Sequence, residues 1–355
     1  MLSESQFRCN RLPIPRSIAQ GSPYDETPPR RQVNFLVLNL FLFVIGIALL
    51  YQGAQWLVDG SSRLAKALGL SPLVIGLTVV AFGTSSPELV VSVVSSVQQK
   101  SMIATGNVVG SNICNIALVL GLSAALTPIR GSASVIRRDI PIMLGVSLYL
   151  LLISIDSSIS RFEGFTLFIG IILYTILNYR WDAKAVSDPL TQAISAEPFW
   201  MPGRLGQLLL IAGGIGGVVW GADLMINSAV IIMKRFGFSE KFIGLTVVAF
   251  GTSLPELATS AMAIAKKEMD ISIGNLVGSN VFNILCVLGA AAMVRPIPIP
   301  EGLVKSGLLV DYLVMMATSA LPMLLMRRSL IMDRKGGIIL LTCYAGYLTY
   351  LVGKS

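Results

Sequence analysis

Residues 75–89, IGLTVVAFGTSSPEL, recur at 243–257 as IGLTVVAFGTSLPEL. The offset of 168 runs without a gap from 75–124 onto 243–292, with 28 identities in 50 positions. It persists upstream, where Gly53, Lys66 and Gly69 match Gly221, Lys234 and Gly237. Downstream, GNVVGSNICNI at 106–116 is matched by GNLVGSNVFNI at 274–284. A soluble solenoid needs shorter periods in more copies. Two copies of one long unit make up this chain.

The unit is apolar. Of 355 residues, 54% are hydrophobic and 13% charged, with mean hydropathy +0.75. Soluble proteins carry roughly 25% charged residues. Apolar runs long enough for a ~30 Å hydrocarbon core give about ten spans. They fall at 34–59, 71–98, 103–126, 139–155, 163–180, 206–233, 240–265, 271–293, 304–326 and 336–352. The polar connection 181–204 divides them into two sets of five. An odd number of spans per copy makes the second copy enter the membrane in the opposite sense. The expected fold is therefore an all-α membrane protein of ten transmembrane helices in two inverted-topology five-helix repeats. The repeats are 34–180 and 205–355, and the second and seventh helices are broken.

Residues 1–33, with five prolines and five arginines, read as a disordered tail. Lys and Arg placement leans toward an external N-terminus once the tail's arginines are set aside. The expected location is a cell membrane, the bacterial inner membrane, crossed many times.

The net charge is +8, in short clusters such as Arg137-Arg138, Lys266-Lys267 and Arg327-Arg328 between apolar runs. That placement suits anionic headgroups at membrane flanks and gives no nucleic-acid face. The chain has no histidine, which excludes His-ligated metals, His-activated nucleophiles and His proton relays. Cys9, Cys114, Cys286 and Cys343 form no CxxC pair and support neither a disulfide framework nor a zinc site. No cofactor is expected.

Chemistry concentrates in the second span of each copy. Pro87 and Pro255 remove a helical donor and clash with the carbonyl four residues earlier. With Gly83 and Gly251 they should interrupt the helix, leaving carbonyls at 81–84 and 249–252 without helical partners. In hydrocarbon, such carbonyls are tolerated only against protein or a water-filled cavity. Glu88 and Glu256 follow the prolines directly. A carboxylate at mid-membrane is costly unless paired or protonated, and neither repeated motif holds a Lys or Arg. Two carboxylates with hydroxyls and carbonyls make an all-oxygen cage, which suits a hard cation and Ca²⁺ in particular. Ser111 and Asn115, like Ser279 and Asn283, are four apart on one face of the third span. Gly106 and Gly110, with Gly274 and Gly278, offer small faces for close helix approach.

A single GNxxGSN is explained well enough by helix packing. Duplication shifts that balance, because both copies keep the Glu, the Pro, the hydroxyls and the amides while 93–102 and 261–270 share no residue. Asp223 and Asp311 face Gln55 and Met143 across the repeat and are not duplicated. A helix-end or interhelical bond is the expectation for both.

The paired GTSSPE and GTSLPE, each followed by GN-x-V-GSN-x-x-N, resemble the α-repeats of the cation/Ca²⁺ exchanger superfamily, most of all its prokaryotic sodium/calcium exchanger branch. The resemblance implies ten helices with alternating access between inverted halves. It implies that Glu88 and Glu256 bind Ca²⁺ and share in Na⁺ binding. Thr84, Thr252, Ala81 and Ala249 would supply backbone carbonyls, and Ser85, Ser253, Ser111 and Ser279 would complete flanking Na⁺ positions. Asn115 and Asn283 take the central position on the third span of each copy. Some relatives, including potassium-dependent exchangers, carry Asp where this chain has Asn283, so no K⁺ requirement is expected. Two carboxylates neutralise one Ca²⁺; the three Na⁺ typical of the family would leave one net charge, making transport electrogenic.

Other functions remain to be weighed against Na⁺/Ca²⁺ exchange. In H⁺/Ca²⁺ antiport the two glutamates would take protons in place of Na⁺, but proton-coupled relatives carry a GNxxE pattern absent here. A passive channel would want a continuous polar pore rather than one enclosed cage. An intramembrane hydrolase using Ser85 or Ser253 has no evident base.

Overall fold

The structure, a computed structural model, describes residues 29–185, 204–236 and 251–354. Helix α1 runs Pro29–Leu68, so it begins inside the stretch expected to be tail. Its end is closed by Leu70 N–H donating to the Ala65 carbonyl at 2.9 Å, with Gly69 left-handed at φ +64°. A Cβ at Gly69 would touch nothing, so the glycine serves the turn rather than packing.

Helix α2, Pro72–Thr84, starts with Ser71 Oγ accepting the Val74 N–H at 3.4 Å and Pro72 in the first turn. It widens into π turns over Gly76–Val80, and α3, Ser86–Val97, continues at a bend of 48°. Helices α4 (Ser101–Leu126), α5 (Ile140–Ile153) and α6 (Arg161–Ala185) complete the first half. Helices α7 (Arg204–Arg235), α8 (Leu254–Ala265), α9 (Met269–Val294), α10 (Leu308–Met326) and α11 (Arg334–Lys354) form the second. Ser160 and Glu163 build a capping box at α6: Glu163 Oε2 accepts from Ser160 N–H at 2.7 Å, and Ser160 Oγ accepts from Glu163 N–H at 3.3 Å.

Seven helices among the described residues are long and apolar enough to cross a membrane, or eight with the bent α2–α3 pair taken as one span. Of the ten expected spans, 139–155 appears as α5, which continues without a break from a π segment, Val135–Asp139, that carries Arg137, Arg138 and Asp139. The first part of 240–265 lies outside the described residues. Large apolar side chains face outward along α1, α6 and α7, as in Phe41, Phe165 and Leu209. That is the pattern of helices with lipid as solvent, and the chain is a multi-pass membrane protein.

The core sits on α4 and α9, whose apolar windows are 78% and 83% buried, against 17% for α1. Helices α1 and α7 pair antiparallel along glycines. A Cβ on Gly53 would lie 2.5 Å from Val218 N, and one on Gly221 would lie 2.5 Å from Leu50 N. These backbones touch because no side chain stands between them.

Four two-residue strands tie the halves together: β1 (Ile129–Arg130), β2 (Ser158–Ile159), β3 (Ile297–Pro298) and β4 (Ile331–Met332). β1 pairs antiparallel with β4, Ile129 opposite Met332, and β2 with β3, Ile159 opposite Ile297. Since Ile129 matches Ile297 in the repeat, the second pairing is the first with the halves exchanged.

Candidate functional site

The bend at Ser85 follows from Pro87, which cannot donate to the Gly83 carbonyl. Ser85 itself is outside helical geometry, at φ −84° and ψ 7°. The break is narrower than the sequence suggests. Ser85 N–H still donates to the Ala81 carbonyl at 3.0 Å, and Ser86 Oγ donates to the Phe82 carbonyl at 2.9 Å. Of the four carbonyls expected to lack helical partners, Ala81 therefore keeps one. Thr84 Oγ1 lies 3.4 Å from the same oxygen, so both of its lone pairs already have a neighbour within the helix. Ala249 and Phe250 lie outside the described residues. Thr252 is half-buried, and Ser253 at φ −91° repeats the break ahead of α8.

Both glutamates are fully buried. Ser85, three residues before Glu88, donates to Glu256 and so brings the two motifs together. Among the described residues the ion pairs are Arg138–Asp139 and Lys266–Asp59, so neither glutamate meets a basic side chain. What they meet is oxygen. Ser111 Oγ donates to Glu88 Oε1 at 3.4 Å, and Ser85 Oγ donates to Glu256 Oε1 at 3.1 Å, from the opposite half. Thr84 Oγ1 is 3.4 Å from Ser279 Oγ and donates to Asn275 Oδ1 at 3.1 Å. The expected Ser/Asn face of the third span thus does lie against the broken helix.

Asn115 and Asn283 are buried within the π segments Cys114–Leu120 of α4 and Asn283–Leu288 of α9. Such widened turns often occur at functional sites. Their amides are held by Asn112 and Asn280, two residues with no role expected from the motif. Asn115 Nδ2 donates to Asn280 Oδ1 and Asn283 Nδ2 to Asn112 Oδ1, both at 3.1 Å. Asn112 and Asn280 each donate in turn to the other's backbone carbonyl, also at 3.1 Å. This two-fold ring engages the amide nitrogens and leaves the side-chain oxygens of Asn115 and Asn283 without partners. Asn107 adds a further brace, donating to the Glu88 carbonyl at 3.2 Å and to Ser92 Oγ at 2.9 Å. The repetition of GN and GSN in both copies was the signal for these asparagines.

Among the described residues of the expected cage, five buried side-chain oxygens are left without a hydrogen-bond partner: Glu88 Oε2, Glu256 Oε2, Asn115 Oδ1, Asn283 Oδ1 and Ser253 Oγ. Unpaired buried acceptors are costly, and here four of the five accept only. Two carboxylates and two amide oxygens fit a hard cation as substrate. Close packing supports the frame: a Cβ on Gly274 would lie 2.7 Å from the Leu73 carbonyl, and one on Gly278 2.6 Å from that of Leu77. The segment matching Leu73 and Leu77, expected against Gly106 and Gly110, lies outside the described residues.

The halves are not in the same state. Ser85 binds Glu256, while Ser253, its repeat mate, leaves Glu88 to Ser111 alone. Asn275 is buried, whereas Asn107 is half-buried. Of the unduplicated acids, Asp311 accepts from Tyr347 Oη at 3.1 Å, the interhelical bond expected of it, and Asp223 is exposed.

One family model, sodium/calcium exchanger protein, matches the chain twice, over residues 38–180 and 206–353. CaxA of Alkalimonas amylolytica, an antiporter by name, is 39% identical over 331 residues, covering 90% of this chain and all of its own. The sodium/calcium exchanger MaX1 of Methanosarcina acetivorans is 30% identical over 353 residues, covering 90% of this chain and 98% of its own. A solved structure of the sodium-calcium exchanger NCX_Mj, soaked with zero Na⁺ and Ca²⁺, superposes with a TM-score of 0.75 at 33% identity. It covers 89% of this chain and 99% of that one. The chain belongs to the sodium/calcium exchanger protein family.

Proposed function

We propose that the chain is a secondary active antiporter that exchanges Ca²⁺ for Na⁺ by alternating access, without K⁺ and electrogenically. The observation that carries this reading is that Glu88, Glu256, Asn115 and Asn283 each keep a buried oxygen with no hydrogen-bond partner. A divalent cation cancels both carboxylates and supplies the missing partner for all four oxygens. Flanking hydroxyls on Ser85, Ser253, Ser111 and Ser279, with the carbonyls of Thr84, Thr252, Ala81 and Ala249, take the Na⁺ positions in this reading. Two carboxylates balance one Ca²⁺ but not three Na⁺, so each turnover moves net charge. Asn at 283 rather than Asp withholds the extra charge that a K⁺ site would use.

Ten spans in two inverted repeats accommodate the two cross-half strand pairs. Counting spans from the N-terminus puts β1 and β4 at one membrane face and β2 and β3 at the other. The unequal bonding of Ser85 and Ser253 supplies the two conformations that one unit can adopt. Exchanging them between halves would move access to the cage from one face to the other.

The test is Ca²⁺ flux into vesicles holding the purified chain, under an imposed Na⁺ gradient, with and without K⁺. Flux should follow the Na⁺ gradient, ignore K⁺ and build a membrane potential. Flux that ignores Na⁺ and follows an imposed pH gradient would replace this reading with H⁺/Ca²⁺ antiport.

A further inference from the structure

We propose that the cleft where α3 and α9 end and α6 begins binds the headgroup of an anionic phospholipid. The cleft holds about 400 Å³ and is lined by Val97, Arg161, Val294, Arg295 and Pro296. A volume of that order takes a phosphate with its glycerol, and two of its lining residues, Val97 and Val294, are exposed and apolar.

Two guanidinium groups supply the recognition. Arg161 donates one Nη2–H to the Val294 carbonyl at 3.3 Å, which holds the side chain across the last turn of α9 and leaves its other donors free of that bond. Arg295 accepts at its own carbonyl from Ser96 Oγ at 3.1 Å, so the end of α9 is fastened to α3. Its guanidinium meets the side-chain amide of Gln99, whose backbone is left-handed at φ +63°. Both cations therefore sit on anchored backbone at one wall. The acid nearest in sequence, Glu163, is committed to the cap of α6 through Ser160 N–H and Oγ.

The surroundings choose the ligand. Val97, Val294 and Phe162 are 54%, 47% and 74% exposed at the ends of spanning helices, where headgroups meet acyl chains. Guanidinium forks match phosphate oxygens, and the apolar rim suits the chains attached to a lipid phosphate. A free phosphate would use the arginines and leave that rim uncovered.

The repeat supplies an internal control. Arg334 stands where Arg161 does, donating Nη2–H to the Leu126 carbonyl at 3.5 Å. The position of Arg295 is filled there by Thr127, and that of Val97 by Ala265. The mate of the cleft has one arginine, with Lys267 in the place of Gln99, so it lacks the pair of guanidinium groups.

The full-length chain in detergent would be titrated with phosphatidylglycerol or phosphatidylcholine and the bound lipid counted by native mass spectrometry. Phosphatidylglycerol should be retained in preference to phosphatidylcholine. Arg295→Gln should weaken its retention about fivefold, and Arg161→Gln with Arg295→Gln further still. Arg334→Gln should leave it unchanged. Arg295 is exposed, so Arg295→Gln tests the site even if Arg161→Gln fails to fold. Equal retention of the two lipids, no loss in Arg295→Gln, or displacement of phosphatidylglycerol by millimolar inorganic phosphate would each overturn the proposal.

Discussion

At the scale of single residues, the proposed cage depends on buried oxygens that the hydrogen bonds around them leave unpartnered. Glu88→Gln and Glu256→Gln each remove one charge from a buried pair that has no basic partner. Ca²⁺ uptake in vesicles should fall to that of empty vesicles for either change. The amide ring makes a subtler prediction. Asn280→Ala removes the acceptor of Asn115 Nδ2, leaving that amide free to turn its nitrogen toward the ion. Ca²⁺ affinity, read from the concentration dependence of uptake, should weaken about tenfold, as for other groups that orient ligands. The carboxylates were plain in the sequence because a membrane charge without a cation beside it has few explanations. Asn112 and Asn280 were not, since Asn in a GSN run packs helices as readily as it braces a ligand. Only their cross-half bonds separate the two roles. The intact bond at the Ala81 carbonyl was equally hidden: proline dictates which donor is lost, at Gly83, but not how far the gap spreads.

At the scale of helices, glycine content reads as packing only where a neighbour is known. Gly53 and Gly145 look alike in sequence, yet a Cβ at Gly53 would meet Val218 N at 2.5 Å and one at Gly145 would meet nothing within 4 Å. Gly53→Ala should therefore force α1 and α7 apart and lower stability by about 1–3 kcal/mol. Gly145→Ala should be neutral or stabilising by up to about 1 kcal/mol, from helix propensity alone. Thermal melting of the two purified variants separates these outcomes. Span positions were legible from apolar runs, within a few residues for α4, α6 and α9. The ends of α1 were not, because no proline between 34 and 68 forces a stop, and the helix runs on through Asp59, Arg63 and Lys66 to the glycine turn at 69.

At the scale of the whole molecule, duplication decided the architecture before any contact was known, and the exchanged strand pairs carry the same two-fold relation. It could not tell which contacts the two halves share and which belong to one. The strand clamps are shared. The clasp between α1 and the α8–α9 turn is not: Lys266 Nζ lies 2.5 Å from Asp59 Oδ1, and Ser62 Oγ donates to Glu268 Oε1 at 2.7 Å. The repeat places Gln98, Asn227, Val230 and Lys100 at the matching positions, so no such clasp can form in the other half. Both charges are partly exposed, so the pair adds at most about 1 kcal/mol to stability. Its consequence is for movement. If the halves exchange conformations, the clasp must open, whereas the clamps can persist through the exchange. In a cysteine-free background, Arg130→Cys with Ile331→Cys sits at facing strand positions within disulfide reach. Oxidising that pair should leave Na⁺-driven Ca²⁺ uptake intact. Joining Asp59→Cys to Lys266→Cys with a short bis-thiol reagent should arrest uptake, and cleaving the link should restore it. Uptake that survives the second link would mean that α1 and α8 move together through the cycle.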